Sequence, residues 1–112
     1  MVESAIDEAI LRRLYTIIAA RKTADPGSSY TARLLHQGRA QIAKKMGEEA
    51  VETAIAAVAR DSDAVVAESA DLIYHLLVLW ADCGIDPNEV WAALEKREGT
   101  SGLAEKAARP EV

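Results

Sequence analysis

Apolar residues along this chain recur with a helical period almost from end to end. Ile6, Ile10, Leu14, Ile17 and Ile18 follow one another at steps of three, four or one, which predicts an amphipathic helix from Ser4 to about Arg21. Thr23-Ala24-Asp25-Pro26-Gly27-Ser28-Ser29 is dense in turn formers and predicts a loop. Ser29 can cap a short helix from Tyr30 to His36, which Gly38 would end. A long helix is expected from about Arg39 to Arg60, with Met46, Ala50, Val51, Ala54 and Val58 as its packing stripe. Asp61-Ser62-Asp63 breaks it, and Ser62 is the expected N-cap of a fourth helix running to about Asp82 and stopping at Gly84.

Asp86-Pro87-Asn88-Glu89 then combines a capping box with proline at the first helical position, which predicts a last helix to about Arg97. Gly99-Thr100-Ser101-Gly102 would end it. The expected fold is all-α, a bundle-like domain of four or five helices without strands over residues 1–98. Residues 99–112 are expected to be a flexible tail with little to pack against.

The fourth helix changes the picture. From Asp63 to Ala81 it is apolar almost all round, which predicts burial. Yet Glu68, Asp71 and His75 share one of its faces with Leu72 and Leu79, and a buried carboxylate is costly unless compensated. On the preceding helix, at about 100° per residue, Lys45, Glu48, Glu49 and Glu52 fall within an arc of about 100°. Like charges such as Glu48 and Glu52 at i,i+4 oppose helix formation, and local conflicts of this kind collect at functional sites. The short break at Asp61-Ser62-Asp63 makes the two helices antiparallel neighbours, so their acidic clusters can face each other within about a turn.

Composition narrows the options. The chain has 112 residues, enough for one modest core, and half of them are apolar. A formal charge of −5 and the lack of a basic stripe argue against a nucleic-acid partner. Cys83 is the only cysteine, which rules out an intrachain disulfide or a cysteine zinc site and fits a reducing cytoplasm. The first residues, Val2-Glu3-Ser4-Ala5-Ile6-Asp7-Glu8, are acidic and unlike a signal peptide. No run of about eighteen uncharged apolar residues is present, so no membrane span is expected.

Side-chain oxygens from several carboxylates, with no second histidine nearby, suit Mg²⁺, or Mn²⁺, better than zinc. An ordinary reading of Glu48, Glu49 and Glu52 is a solvated face paired with Lys44 and Lys45. That reading does not extend to Glu68 and Asp71, which have no basic residue within a turn. His75 is read as a packed histidine bonded to Asp71 one turn away, and Trp80 and Trp91 as core residues. A further alternative is a non-catalytic helical dimerisation module, with the apolar fourth helix as its interface.

These residues resemble the phosphoribosyl-ATP pyrophosphatase family of histidine biosynthesis, within the all-α, MazG-like NTP pyrophosphatase superfamily. The superfamily pattern is matched by Glu49/Glu52 followed by Glu68-x-x-Asp71. The narrower family is matched by Ser29-Tyr30-Thr31-Ala32-Arg33-Leu34-Leu35, by the segment from Lys44 to Glu52, and by the segment from Glu68 to Val78. The resemblance extends from about residue 6 to 98.

It implies Mg²⁺-dependent hydrolysis of phosphoribosyl-ATP to phosphoribosyl-AMP and pyrophosphate, by attack of water on the α–β phosphoanhydride. Carried over, Glu48, Glu49, Glu52, Glu68 and Asp71 would bind metal. Glu49, Glu52 and Lys45 would act in catalysis, with Lys45 meeting phosphate oxygens or, alternatively, pairing with Glu49. Ser29, Tyr30, Thr31 and Arg33 would lie near the phosphate or ribose, although Ser29 and Thr31 also suit a cap. The resemblance further implies a homodimer or larger assembly, in a stand-alone form without a fused cyclohydrolase domain. A house-cleaning (d)NTP pyrophosphatase of the same superfamily is the alternative within this class.

Overall fold

Six α-helices succeed one another, and no strand occurs, among residues 6–99 and 102–110, which the computed structural model describes. They are α1 (Ala9–Ala20), α2 (Tyr30–Gln37), α3 (Arg39–Val58), α4 (Ser62–Cys83), α5 (Pro87–Glu95) and α6 (Gly102–Ala108). A single 3₁₀ turn, Arg21–Thr23, extends α1. The expected start at Ser4 and the turn residues Thr100 and Ser101 lie outside the described residues. Within them α1 begins later than expected, at Ala9, whose N–H is held by the Asp7 carboxylate at 2.9 Å. Ile6 therefore precedes the helix and is exposed, not part of a packing stripe. In the segment expected as a tail, α6 adds a short helix.

Capping sets most boundaries. Ser29 Oγ accepts from the Ala32 N–H at 3.0 Å and starts α2. Gly38 both ends α2 and opens α3 with φ +100° and ψ 175°, a region that a side chain would find strained. The N-cap of α4 is Asp61, not Ser62, because its carboxylate accepts from Ala64 N at 3.0 Å. Arg60 takes the left-handed position between α3 and α4, and the Asp61 N–H reaches back to the Ala56 carbonyl. Gly84 does the same after α4, with Ile85 N bonded to Trp80 O at 2.9 Å. The capping box of α5 is complete, Asp86 and Glu89 each accepting from the other's end of the first turn.

The tight reversal makes α3 and α4 an antiparallel pair, and this is the main contact of the fold. Arg39 fastens the open end of the pair by binding Asp82 at 3.0 Å. Next, α1 lies across α4, and Lys22 donates to the Ala81 carbonyl at 2.8 Å. Tyr15 donates to the Ile85 carbonyl at 2.8 Å, while Arg12 pairs with Asp86 at 3.0 Å. The core is Ile18, Leu34, Ile42, Leu77, Val78 and Ala81, flanked by Leu11, Leu14, Leu35 and Leu79. Trp80 meets Trp91 edge to face, which docks α5 on α4.

Two expectations about packing need correction. The least exposed face of α3 carries Ile42, Met46, Glu49, Thr53 and Ala56, whereas Val51, Ala54 and Val58 point outward. The α3 face that meets α4 is thus the one that brings Glu49 toward it. Nor is α4 buried all round. His75, Leu77, Val78 and Ala81 are buried, but Val66 is 70% exposed and Ile73 is also open. The described helices are too few to enclose the first half of α4. By length and composition α4 could cross a bilayer, but Glu68, Asp71 and His75 sit in its middle.

Leu77 touches the core from the centre of α4 and is 1% exposed. Leu77→Ala is expected to destabilise the chain by about 2–5 kcal/mol, through lost transfer energy and the cavity left behind. Urea unfolding at one fixed protein concentration checks this.

Candidate metal centre

Because α3 and α4 run antiparallel from one short turn, residues at matching distances from that turn face each other. Oxygens of Glu49 from α3 and of Glu68 and Asp71 from α4 lie within 4.8 Å of one another. Glu52, one turn after Glu49, contacts both Glu49 and Glu68. Glu48 lies one step round the helix, exposed beside Gly47 and Val51, and does not join this group. Among the described residues no lysine or arginine forms an ion pair with these four carboxylates; Arg12 and Arg39 engage other acids.

The electrostatics are those of an uncompensated cluster. Glu49 Oε2 and Glu68 Oε2 are both shielded from water, and neither has a hydrogen-bond partner. Their neighbours are other carboxylate oxygens, which as ionised groups have no proton to give. Contact with Glu52, then with Glu49, and then burial push the Glu68 carboxyl up to about 7 from its ordinary 4.5. Burial also raises Glu49; contact with Glu68 opposes that shift, while Glu52 and Asp71 add to it. Both carboxyls are thus pushed toward their protonated forms, which lessens the crowding of charge. A divalent cation would do the same work better, since each carboxylate supplies hard oxygen ligands and both orphaned oxygens would gain a partner. The donor set therefore fits Mg²⁺ or Mn²⁺.

Around the acids the residues expected to meet a ligand divide into two kinds. Tyr30 and Arg33 are exposed on α2, and Arg33 has no ion pair among the described residues. The Tyr30 hydroxyl meets His75, whose other ring nitrogen meets the Asp71 carbonyl, so its tip lies by the Asp71 turn of α4. Burial raises the Tyr30 phenol; Lys45 opposes that shift. Ser29 and Thr31 are turned inward instead. Ser29 caps α2, and Thr31 is buried with its hydroxyl against that of Tyr74. Lys45 is half-buried on the α3 face that also carries Glu49.

Two side chains beyond those expected as ligands complete the site. His75 is 7% exposed and bonded at both ring nitrogens. Nδ1 meets the Asp71 backbone carbonyl at 2.7 Å, and Nε2 meets the Tyr30 hydroxyl at 2.9 Å. The expected bond to Asp71 thus goes to its main chain, since one helical turn sets a ring nitrogen under the i−4 carbonyl. Tyr74 packs on His75 edge to face and holds Thr31, so α2 is tied to α4 at two adjacent positions. The sequence signal was the adjacency of Tyr74 and His75 one turn past Asp71. Their partners on α2 come only from the tertiary fold.

Comparison with known proteins places the chain in a family. Residues 11–98 match the model of the family described as phosphoribosyl-ATP pyrophosphohydrolase. A phosphoribosyl-ATP pyrophosphatase of Azospirillum brasilense is 61% identical over 109 residues, covering 97% of this chain and 98% of the relative. Proteins of the same name from Parvibaculum lavamentivorans and Caulobacter vibrioides are 62% and 60% identical. These alignments cover 96% and 89% of the chain, and 98% and 92% of the relatives.

The raised Glu68 carboxyl fixes a sign for pH dependence. Between pH 4.5 and about 7 the folded chain binds more protons at Glu68 than the unfolded chain does. Stability contributed there is present at low pH and lost as pH rises through that window. In EDTA-treated protein, Tm is expected to fall from pH 5 to pH 7.5. Millimolar Mg²⁺ should restore it at pH 7.5 and change it little at pH 5, because the cation competes with the proton. Differential scanning fluorimetry at the two pH values checks this, and Glu68→Gln should remove both effects.

Proposed function

The chain belongs to the phosphoribosyl-ATP pyrophosphohydrolase family, and on that basis we propose that it hydrolyses phosphoribosyl-ATP to phosphoribosyl-AMP and pyrophosphate with Mg²⁺. The observation that carries the reading is the uncompensated group of Glu49, Glu52, Glu68 and Asp71. A triphosphate needs a site that can bring cations to it, and a cluster of hard carboxylate oxygens can do so.

When bound, Mg²⁺ would neutralise charge on phosphoryl oxygens and make a bound water more acidic than bulk water. Glu49, Glu68 and Asp71 would hold it, with Glu52 beside them and Glu48 at the margin of the set. Either Glu49 or Glu52 would take the proton of the attacking water as the bridging bond between the α and β phosphates breaks and pyrophosphate leaves. Lys45 and Arg33 would meet phosphate oxygens of the bound nucleotide. Tyr30 would lie at the edge of the acidic cluster, within reach of the bound nucleotide. Ser29 and Thr31 would serve it at one remove, Ser29 by starting α2 and Thr31 by anchoring α2 on Tyr74.

A second copy of the chain would cover the apolar side chains that border the acidic hairpin. Val51, Ile55, Val58 and Val66 are all more than half exposed, on a surface continuous with the α3–α4 pair. A homodimer built there would complete the burial that α4 lacks, and a cytoplasmic setting suits the unpaired thiol of Cys83.

Purified protein with Mg²⁺ should release one pyrophosphate per phosphoribosyl-ATP consumed, and chelator should stop the release. Glu49→Gln and Asp71→Asn should each lower turnover more than about 100-fold, beyond the 10–100-fold typical of changes outside the ligand set. Circular dichroism should show both variants folded. Hydrolysis of dCTP with phosphoribosyl-ATP left intact would overturn the substrate assignment.

A further inference from the structure

The hydrogen bonds of His75 determine where the proton of Tyr30 goes. The carbonyl of Asp71 can only accept, so the contact of 2.7 Å at Nδ1 requires the ring proton to be on that nitrogen. With one proton on the ring, Nε2 is left as a lone pair. In that neutral form the Tyr30 hydroxyl, 2.9 Å away, donates to it. Burial of the imidazole and edge-on packing by both Tyr30 and Tyr74 hold the ring in this orientation.

The phenol has a single proton, and His75 takes it. What remains on Tyr30 Oη is acceptor capacity, on a residue 48% exposed and joined through His75 to the Asp71 turn of α4. A phosphate oxygen, which also only accepts, gains nothing from such a group. An O–H or N–H does.

We propose that His75 is a positioning residue that fixes the Tyr30 hydroxyl as a hydrogen-bond acceptor at the edge of the acidic cluster. Tyr30 there receives an O–H or N–H group and does not bind phosphate. The donor has two possible sources with the same chemistry: a hydroxyl or amino group of the bound nucleotide, or a water held beside the carboxylates. This inference rests on the proposed hydrolysis only for its kinetic test. The tautomer itself is a property of the folded chain.

The first experiment is therefore made without substrate or metal. Nitrogen-15 NMR of the imidazoles in EDTA-treated protein, assigned with His36→Gln, should show His75 protonated at Nδ1 and unprotonated at Nε2. Tyr30→Phe should move the Nε2 resonance and leave the tautomer unchanged. A proton found on Nε2 would overturn the proposal, because Tyr30 would then be free to donate. This outcome does not depend on whether the chain hydrolyses phosphoribosyl-ATP.

The second experiment separates the two donors. His75→Asn keeps a donor toward the Asp71 carbonyl and removes the acceptor facing Tyr30. If the donor is on the nucleotide, Tyr30→Phe and His75→Asn should each raise KM about three- to tenfold with kcat retained, the range expected for one neutral hydrogen bond. If it is water, kcat should fall by a similar factor with KM retained. In either case the double variant should be no worse than Tyr30→Phe alone, since His75 acts through Tyr30. Unchanged kinetics in Tyr30→Phe, or additive losses in the double variant, would contradict the assignment.

Discussion

Four carboxylates from two adjacent helices stand closer together than their charges allow. Oxygens of Glu49, Glu68 and Asp71 gather within 4.8 Å, Glu52 presses on two of them, and no lysine or arginine among the described residues pairs with any. A proton relieves part of the conflict at the expense of ionisation, and the raised Glu68 carboxyl records this. A divalent cation relieves it without that sacrifice. Much else in the molecule can be understood as what brings these groups together and keeps them there.

The α3–α4 pair does the bringing. Its turn uses a left-handed Arg60 and an Asp61 cap, and its open end is closed by Arg39 on Asp82. With both ends tied, the register of α3 on α4 sets Glu49 opposite Glu68. The face chosen is not the most apolar that α3 offers. Val51, Ile55 and Val58 are left outside, so the site is assembled at the expense of burial within one chain. That trade is intelligible if a second copy covers the exposed stripe, since no further helix among the described residues lies over it.

Helix content, order and caps were legible in the sequence because each is local. Gly38, Gly84 and the Asp86–Glu89 box act within a few residues of themselves, and periodicity marks the helices between them. The pairing of Glu49/Glu52 with Glu68/Asp71 was legible too, because a short turn converts sequence distance into spatial position. Rotation of α3 about its axis was not. The apolar stripe of Met46, Ala50, Val51 and Val58 suggests one facing, and burial follows another, centred on Ile42, Glu49, Thr53 and Ala56. Periodicity counts hydrophobic gain only within one chain, and here a polar site and an outer apolar face share the helix. The Tyr30–His75 bond was equally out of reach, since it spans 45 positions and depends on how α2 is set against α4.

The competition between proton and cation at Glu68 can be observed at the carboxyl itself. Carbon-13 NMR of the Glu68 side chain, assigned with Glu68→Gln, would follow its titration in metal-free protein and again in saturating Mg²⁺. A midpoint of about 7 is expected without metal, and a fall to the ordinary carboxylate range or below with it. A Glu68 that titrates near 4.5 in EDTA, with no further change on adding Mg²⁺, would contradict it.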